Sequence, residues 1–200
     1  MEAIAQSGLI WHDNDGVTVH ETIFFDSTGN DAAAVGPCDV VLRRLAGEQT
    51  PLYARLLEDL AAAGYPGQYS EDLDRIIWVK AGINCFCNLP SGLTRMSLQR
   101  MLRHPHGNAL AEDIVDEVVR VAKAAGVNIT AEEILAARTS ALQAPGENFP
   151  SAYQDMLRKR KTEVDYLNGA VARIGRELGI PAPVNETIAD LTHMVQDTYF

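Results

Sequence analysis

Hydrophobic and polar residues follow two different patterns along this chain. The first fifty or so residues hold short runs rich in β-branched and aromatic side chains, Gly8-Leu9-Ile10-Trp11-His12 and Val17-Thr18-Val19-His20-Glu21-Thr22-Ile23-Phe24-Phe25. Asp13-Asn14-Asp15-Gly16 lies between them, a turn sequence that predicts a β-hairpin. Gly36-Pro37 closes this part. Pro51, followed by Leu52, Leu56, Leu57 and Leu60, predicts an amphipathic helix over 51–63 that stops before Gly64.

Beyond Tyr65-Pro66-Gly67 every pattern is helical. Ser70 is placed to cap a helix that runs through Lys80 to Asn88. Ile114, Val115, Val118, Val119 and Ala122 mark the inner face of a helix over 108–125, with Gly126 as its stop. Thr130-Ala131-Glu132-Glu133 is a capping box that opens a helix to about Gln143, broken by Pro145-Gly146. From Ser151 to Leu178 the stripe Val164, Leu167, Val171, Ile174 and Leu178 predicts one long helix ending at Gly179. Pro181 and Pro183 then punctuate, and a last helix runs from Asn185 to about Tyr199. The fold class expected is α+β, mostly α, with a division near residues 64–70 that separates 1–68 from 69–200.

One stretch departs from simple amphipathicity. Ile76-Ile77-Trp78-Val79-Lys80-Ala81-Gly82-Ile83-Asn84-Cys85-Phe86-Cys87-Asn88 is mostly apolar but carries an ammonium and two carboxamides four residues apart. On a helix, Lys80, Asn84 and Asn88 share one face, while Ile76, Ile77, Val79, Ile83 and Phe86 bury the others. Such a lysine must reach solvent, find a partner or line a cavity. A stem that snorkels outward, with amides that cap nearby loops, accounts for the spacing equally well.

Composition narrows the function. The 200 residues are 46% hydrophobic, enough for a full core, and the net charge is −10. The longest basic run is Arg158-Lys159-Arg160-Lys161, which argues against nucleic acid or anionic lipid as partners. No apolar run approaches the roughly 18 residues of a membrane span. A soluble, cytoplasmic protein is expected. Cys38, Cys85 and Cys87 suit a reducing compartment, and a C-x-C inside an apolar helix reads as packing rather than as a metal site. His104-Pro105-His106 places two imidazoles in a turn. None of the 15 glycines forms G-x-G-x-x-G or G-x-x-x-x-G-K-[ST], so the usual cradle for a dinucleotide pyrophosphate is not encoded in these residues.

Four segments resemble the C-terminal domain of ketopantoate reductases. They are Trp78-Val79-Lys80-Ala81-Gly82-Ile83-Asn84 with Asn88; Asn148-Phe149-Pro150-Ser151-Ala152-Tyr153-Gln154-Asp155-Met156; Lys161-Thr162-Glu163-Val164-Asp165-Tyr166-Leu167-Asn168-Gly169; and Ile180-Pro181-Ala182-Pro183-Val184-Asn185. Order and spacing agree over residues 70–197. The resemblance implies an all-helical, 6-phosphogluconate-dehydrogenase-like domain, preceded by a small β-rich remnant of a Rossmann-type domain that lacks the phosphate-binding half. It implies Lys80 as the general acid that protonates a carbonyl oxygen as NADPH delivers hydride, with Glu163 orienting this machinery. Asn84, Asn88, Asn148, Ser151 and Asp155 become substrate-binding candidates. A further family asparagine aligns near Ser97-Leu98, and Leu98 cannot make that hydrogen bond, which argues against pantoate-like specificity.

Local chemistry offers plainer roles for some of these residues. Ser151 with Gln154 reads as a capping box, and Asp155 in a first turn suits the helix dipole. Glu163 is free to pair with Arg160, and Asn168-Gly169 to mark close helix packing. Three functions follow. The first is a ketopantoate-reductase-like oxidoreductase acting on a 2-oxo acid, with the nucleotide-binding half absent or on a separate chain. The second is a redox-neutral enzyme that uses the same pocket for proton transfer, isomerisation or cyclisation. The third is a non-catalytic helical module. A small carbonyl or carboxylate substrate and a homodimer are expected for the enzyme.

Overall fold

A computed structural model describes residues 9–12, 18–21, 40–42, 67–69 and 72–199, together with positions 55, 58, 59 and 62. The chain divides into two compact units, 1–73 and 74–200. Within the first, β1 (Leu9–His12) pairs antiparallel with β2 (Thr18–Glu21), Leu9 opposite Glu21 and His12 opposite Thr18. The turn residues expected to join them lie outside the described residues. β3 (Val40–Leu42) pairs in parallel with β4 (Gly67–Tyr69). β4 corrects the expectation that everything past Gly67 is helical, since Gly67-Gln68 carries little strand propensity of its own. Between β3 and β4, Arg55, Glu58, Asp59 and Ala62 are helical and exposed; the apolar positions of that expected helix, and Ser70, lie outside the described residues.

The second unit is helical. Its helices are α1 (Leu73–Thr94), α2 (Leu98–Arg103), α3 (Pro105–Ala124), α4 (Ala131–Gln143), α5 (Ser151–Leu157), a 3-10 turn (Val164–Tyr166), α6 (Asn168–Leu178) and α7 (Pro183–Asp197). The core is built from Phe86 and Leu89 of α1, Met101 of α2, Ile114, Val115, Val118 and Val121 of α3, Ile134 of α4 and Met156 of α5. Full burial of each such side chain contributes about 1.5–3 kcal/mol. The inner face expected for α3 is buried at all five positions named from sequence. Gly126 follows α3 with φ of 86°, the left-handed stop expected there. Thr130 and Glu133 form the reciprocal capping box that opens α4. Arg138 of α4 donates to Glu112 of α3 at 2.7 Å. That bond, followed by one from Asn108, holds the Glu112 carboxyl below its ordinary range.

The single helix expected over Ser151–Leu178 does not form. α5 ends after Leu157, and Lys159 takes a left-handed φ of 54°. Arg160 N–H donates to the Asp155 carbonyl at 2.8 Å and Lys159 N–H to that of Met156 at 3.2 Å. This is the Schellman closure that glycine normally permits, here with lysine in the glycine's place. The segment after it is fastened by Thr162 N–H donating to Gln196 Oε1 of α7 at 2.6 Å. The stripe from Val164 to Leu178 runs through the 3-10 turn, the linking residue Leu167 and α6. α6 closes on Gly179 (φ 71°), with Ile180 N–H on the Gly175 carbonyl at 2.8 Å.

Candidate functional site

α1 carries the polar face singled out in the sequence, and the structure grades it. Lys80 is exposed, Asn84 half-buried and Asn88 buried, so the face descends from solvent into the domain. Four residues beyond Asn88 the same face reaches Gly92. A Cβ at Gly92 would lie 3.3 Å from the Ala152 carbonyl oxygen and 2.6 Å from Met156 Sδ. The missing side chain is what lets the first turn of α5 rest on α1. α5 opens with Ser151, the residue before Ala152.

The loop before α5 is pinned just as closely. Leu98 N–H donates to the Asn148 carbonyl at 2.8 Å, and Asn148 N–H donates to Gln99 Oε1 at 2.7 Å. Ser97, which caps α2, donates from its hydroxyl to Glu147 at 3.1 Å. Leu98 and Gln99 therefore hold the backbone of Asn148 and Ser97 the side chain of Glu147, and the Asn148 carboxamide is left unused. Gln99 is buried and carries this clamp. Its apolar neighbours Leu98 and Met101 gave no hint of it in the sequence.

The polar groups of this region fall into two sets. Among the described residues, the Lys80 ammonium, the carboxamides of Asn84, Asn88 and Asn148, the Ser151 hydroxyl and the Glu163 carboxylate make no hydrogen bond or ion pair. The other set is committed to structure. Ser151 is the first residue of α5 rather than its cap, with Pro150 at the cap position, so the capping box expected with Gln154 does not form. Gln154 donates instead to the Phe149 carbonyl at 3.1 Å. Asp155 lies beyond the first turn of α5 and pairs with Arg160. That pairing takes the guanidinium that Glu163 was free to use. Glu163 is exposed, immediately before the 3-10 turn.

Asn168 and Asn185 are fully buried and Glu117 nearly so. Asn168 Nδ2 donates to the Cys85 carbonyl of α1 at 3.3 Å and to Asn185 Oδ1 at 2.9 Å. Asn185 Nδ2 donates to Glu117 Oε2 at 2.8 Å. The Glu117 carboxylate also accepts Val184 and Asn185 N–H, each at 2.9 Å, which caps α7 from a neighbouring helix. Sequence reasoning passed over Glu117, although a carboxylate between Ile114 and Val118 on a buried face is a usable signal. Cys85 and Cys87 are buried, and burial pushes both thiols well above their ordinary value. They pack, as expected, and offer no thiolate.

The match to a family model falls on this helical part of the chain. Residues 72–196 match the family model described as the ketopantoate reductase PanE/ApbA C terminal. The chain belongs to the ketopantoate reductase family. It is 32% identical over 139 residues to the 2-dehydropantoate 2-reductase of Pyrobaculum aerophilum, covering 68% of this chain and 48% of that protein. With the Archaeoglobus fulgidus enzyme of the same name the figures are 30% over 153 residues, 76% and 50%. The chain thus spans about half the length of these curated relatives. Among solved structures, the ketopantoate reductase family protein of Ralstonia eutropha superposes with a TM-score of 0.73 at 32% identity, over 82% of this chain and 53% of that one. D-mandelate dehydrogenase, solved as a ternary complex with NADH and anilino(oxo)acetate, superposes at 0.76 and 25% identity, over 82% of this chain and 69% of that one.

Proposed function

We propose that this chain supplies the substrate-binding and proton-donating part of a ketopantoate-reductase-like oxidoreductase that reduces a 2-oxo acid. One observation carries the reading. Several polar groups of this domain are committed to structure, whereas six of the seven residues that the family resemblance names, the Lys80 row, Asn148, Ser151 and Glu163, are left uncommitted among the described residues. An ammonium beside a carbonyl oxygen that gains negative charge both stabilises that charge and supplies the proton. Lys80 has this role. Asn84, Asn88, Asn148 and Ser151 hold the substrate's carboxylate, and Glu163 orients the Lys80 end. Asp155 serves them only indirectly, through its pair with Arg160.

The nicotinamide cofactor, NADPH in this reading, supplies hydride when bound. The described residues do not fit its pyrophosphate, because they hold no glycine-rich loop. The nucleotide half therefore lies elsewhere, on a longer product or a separate chain, with residues 1–68 as the remnant of a Rossmann-type domain and 69–200 as the catalytic domain. The parallel β3–β4 pair with helical residues between its strands supports that assignment. Leu98 is buried with its N–H spent on Asn148, so its position offers the substrate no polar side chain. An apolar or aromatic 2-oxo acid fits better than a hydroxylated one, a preference in line with the aryl ligand of the D-mandelate dehydrogenase complex.

Titration of NADPH and NADH into the 200-residue chain by calorimetry is the first test. Micromolar binding followed by turnover of 2-oxo acids, lost in Lys80→Ala, is the expected result if the chain is self-sufficient. No binding ends the self-sufficient reading; reduction restored by a separate nucleotide-binding chain then supports the split one. Proton exchange α to the carbonyl of a 2-oxo acid, without any nucleotide and dependent on Lys80, would replace it with redox-neutral chemistry in the same pocket.

A further inference from the structure

The polar chain from Glu117 to Cys85 has a direction that each group imposes on the next. A carboxylate only accepts, so Glu117 draws the Nδ2 of Asn185 toward itself. That rotation aims Asn185 Oδ1 at Asn168, which must answer with its own Nδ2. The same Nδ2 then reaches the Cys85 carbonyl on α1. Turning the Asn168 amide over would set its oxygen against two acceptors. In the orientation adopted, Asn168 Oδ1 is buried and accepts no hydrogen bond among the described residues. Leaving such an acceptor unmet costs about 1–3 kcal/mol. An apolar side chain there would remove that cost but leave Asn185 Oδ1 buried without its donor, so the count of met acceptors alone does not single out an asparagine here.

The positions the chain joins do account for it. Cys85 lies five residues after Lys80 on α1, and Asn168 lies five residues after Glu163 across the 3-10 turn. About one and a half helical turns separate Lys80 from the tie. Apolar packing of Phe86 and Leu89 holds α1 in place but is indifferent to small rotations, whereas a hydrogen bond to one named carbonyl is not. A one-residue slip of α1 would turn Lys80 through about 100° onto another face.

We propose that Asn168 is a positioning residue: its bond to the Cys85 carbonyl, directed by Asn185 and Glu117, sets the rotation of α1 at which the Lys80 side chain faces Glu163. The inference rests on the proposed roles of Lys80 and Glu163, but its test does not require turnover. The 200-residue chain with Cys38→Ser, Lys80→Cys and Glu163→Cys is treated with a short bismaleimide, Cys85 and Cys87 being buried. Rapid intramolecular cross-linking is expected, slowed at least tenfold by Asn168→Leu at a temperature where circular dichroism shows both proteins fully folded. Should Asn168→Leu not fold, Asn168→Ser, whose hydroxyl is too short to span both acceptors, is read in the same way. Failure of the parent pair to cross-link, or a parent-like rate in a folded Asn168 variant, overturns the inference. Rate loss on Asn168 substitution in a chain that reduces no 2-oxo acid, with or without a nucleotide-binding chain, would uphold the positioning role while ending the reductase reading.

Discussion

Lys80 is exposed and bonded to nothing among the described residues, so its removal separates chemistry from stability cleanly. Lys80→Ala is expected to change unfolding free energy by less than about 0.5 kcal/mol while lowering kcat for 2-oxo acid reduction by about 10²–10⁴, the usual contribution of a positioned general acid. Urea unfolding and steady-state kinetics of the complete enzyme check the two halves of that statement. Glu117 is the opposite case. Its carboxylate is buried and accepts three hydrogen bonds, so Glu117→Ala is expected to cost about 3 kcal/mol, read as a lower urea midpoint with little change in slope. At this scale the sequence supplied residue types and spacing. The family resemblance added Lys80, Asn84, Asn88, Asn148 and Ser151 as candidates, all uncommitted among the described residues, and Asp155, which is spent on Arg160. Nothing local distinguishes a carboxylate that will find an arginine five residues later from one that will not.

Helix ends were legible wherever the signal sits within four residues of the chain. The Thr130–Glu133 box and the Gly126 and Gly179 stops are satisfied by groups of their own segments, so sequence alone places them. The end of α5 was not legible, because its left-handed residue is Lys159 rather than glycine and the stripe resumes in phase beyond it. The two closures make a paired prediction. Lys159→Gly relieves an unfavourable left-handed conformation and is expected to stabilise by about 0.5–1 kcal/mol, and Gly179→Ala to destabilise by about 1 kcal/mol. Thermal unfolding of the two variants and their combination tests both signs, and their separation along the chain makes the effects additive. Gly92 belongs to the same scale. It follows the Lys80–Asn84–Asn88 row in step, yet only the approach of Ala152 and Met156 gives that glycine its purpose.

For the whole chain, the described part is mostly helical and matches the C-terminal domain of a family whose curated members are about twice as long. Among the described residues no helix is long and apolar enough to cross a membrane. Cys85 and Cys87 sit in the centre of the second unit, unexposed and with thiols held protonated by burial. They are expected to react with a thiol reagent only as fast as that unit unfolds, so labelling across a urea series should follow its global stability. Fast labelling of either thiol in the absence of denaturant would mean that α1 opens locally.

The sequence by itself determined the class of the second unit and most of its helices and caps. Each of these depends on periodicity or on hydrogen bonds closed within a turn or two. Tertiary structure decided which polar groups are consumed. Asn168 and Cys85, 83 residues apart, Gln99 and Asn148, 49 apart, and Glu117 and Asn185, 68 apart, meet only after the helices have packed. A side chain has the same hydrogen-bonding capacity whether it will brace a helix or hold a substrate. Which of the two it does is fixed by what lies across the interface, and that is a property of the packed helices rather than of the segment that carries it.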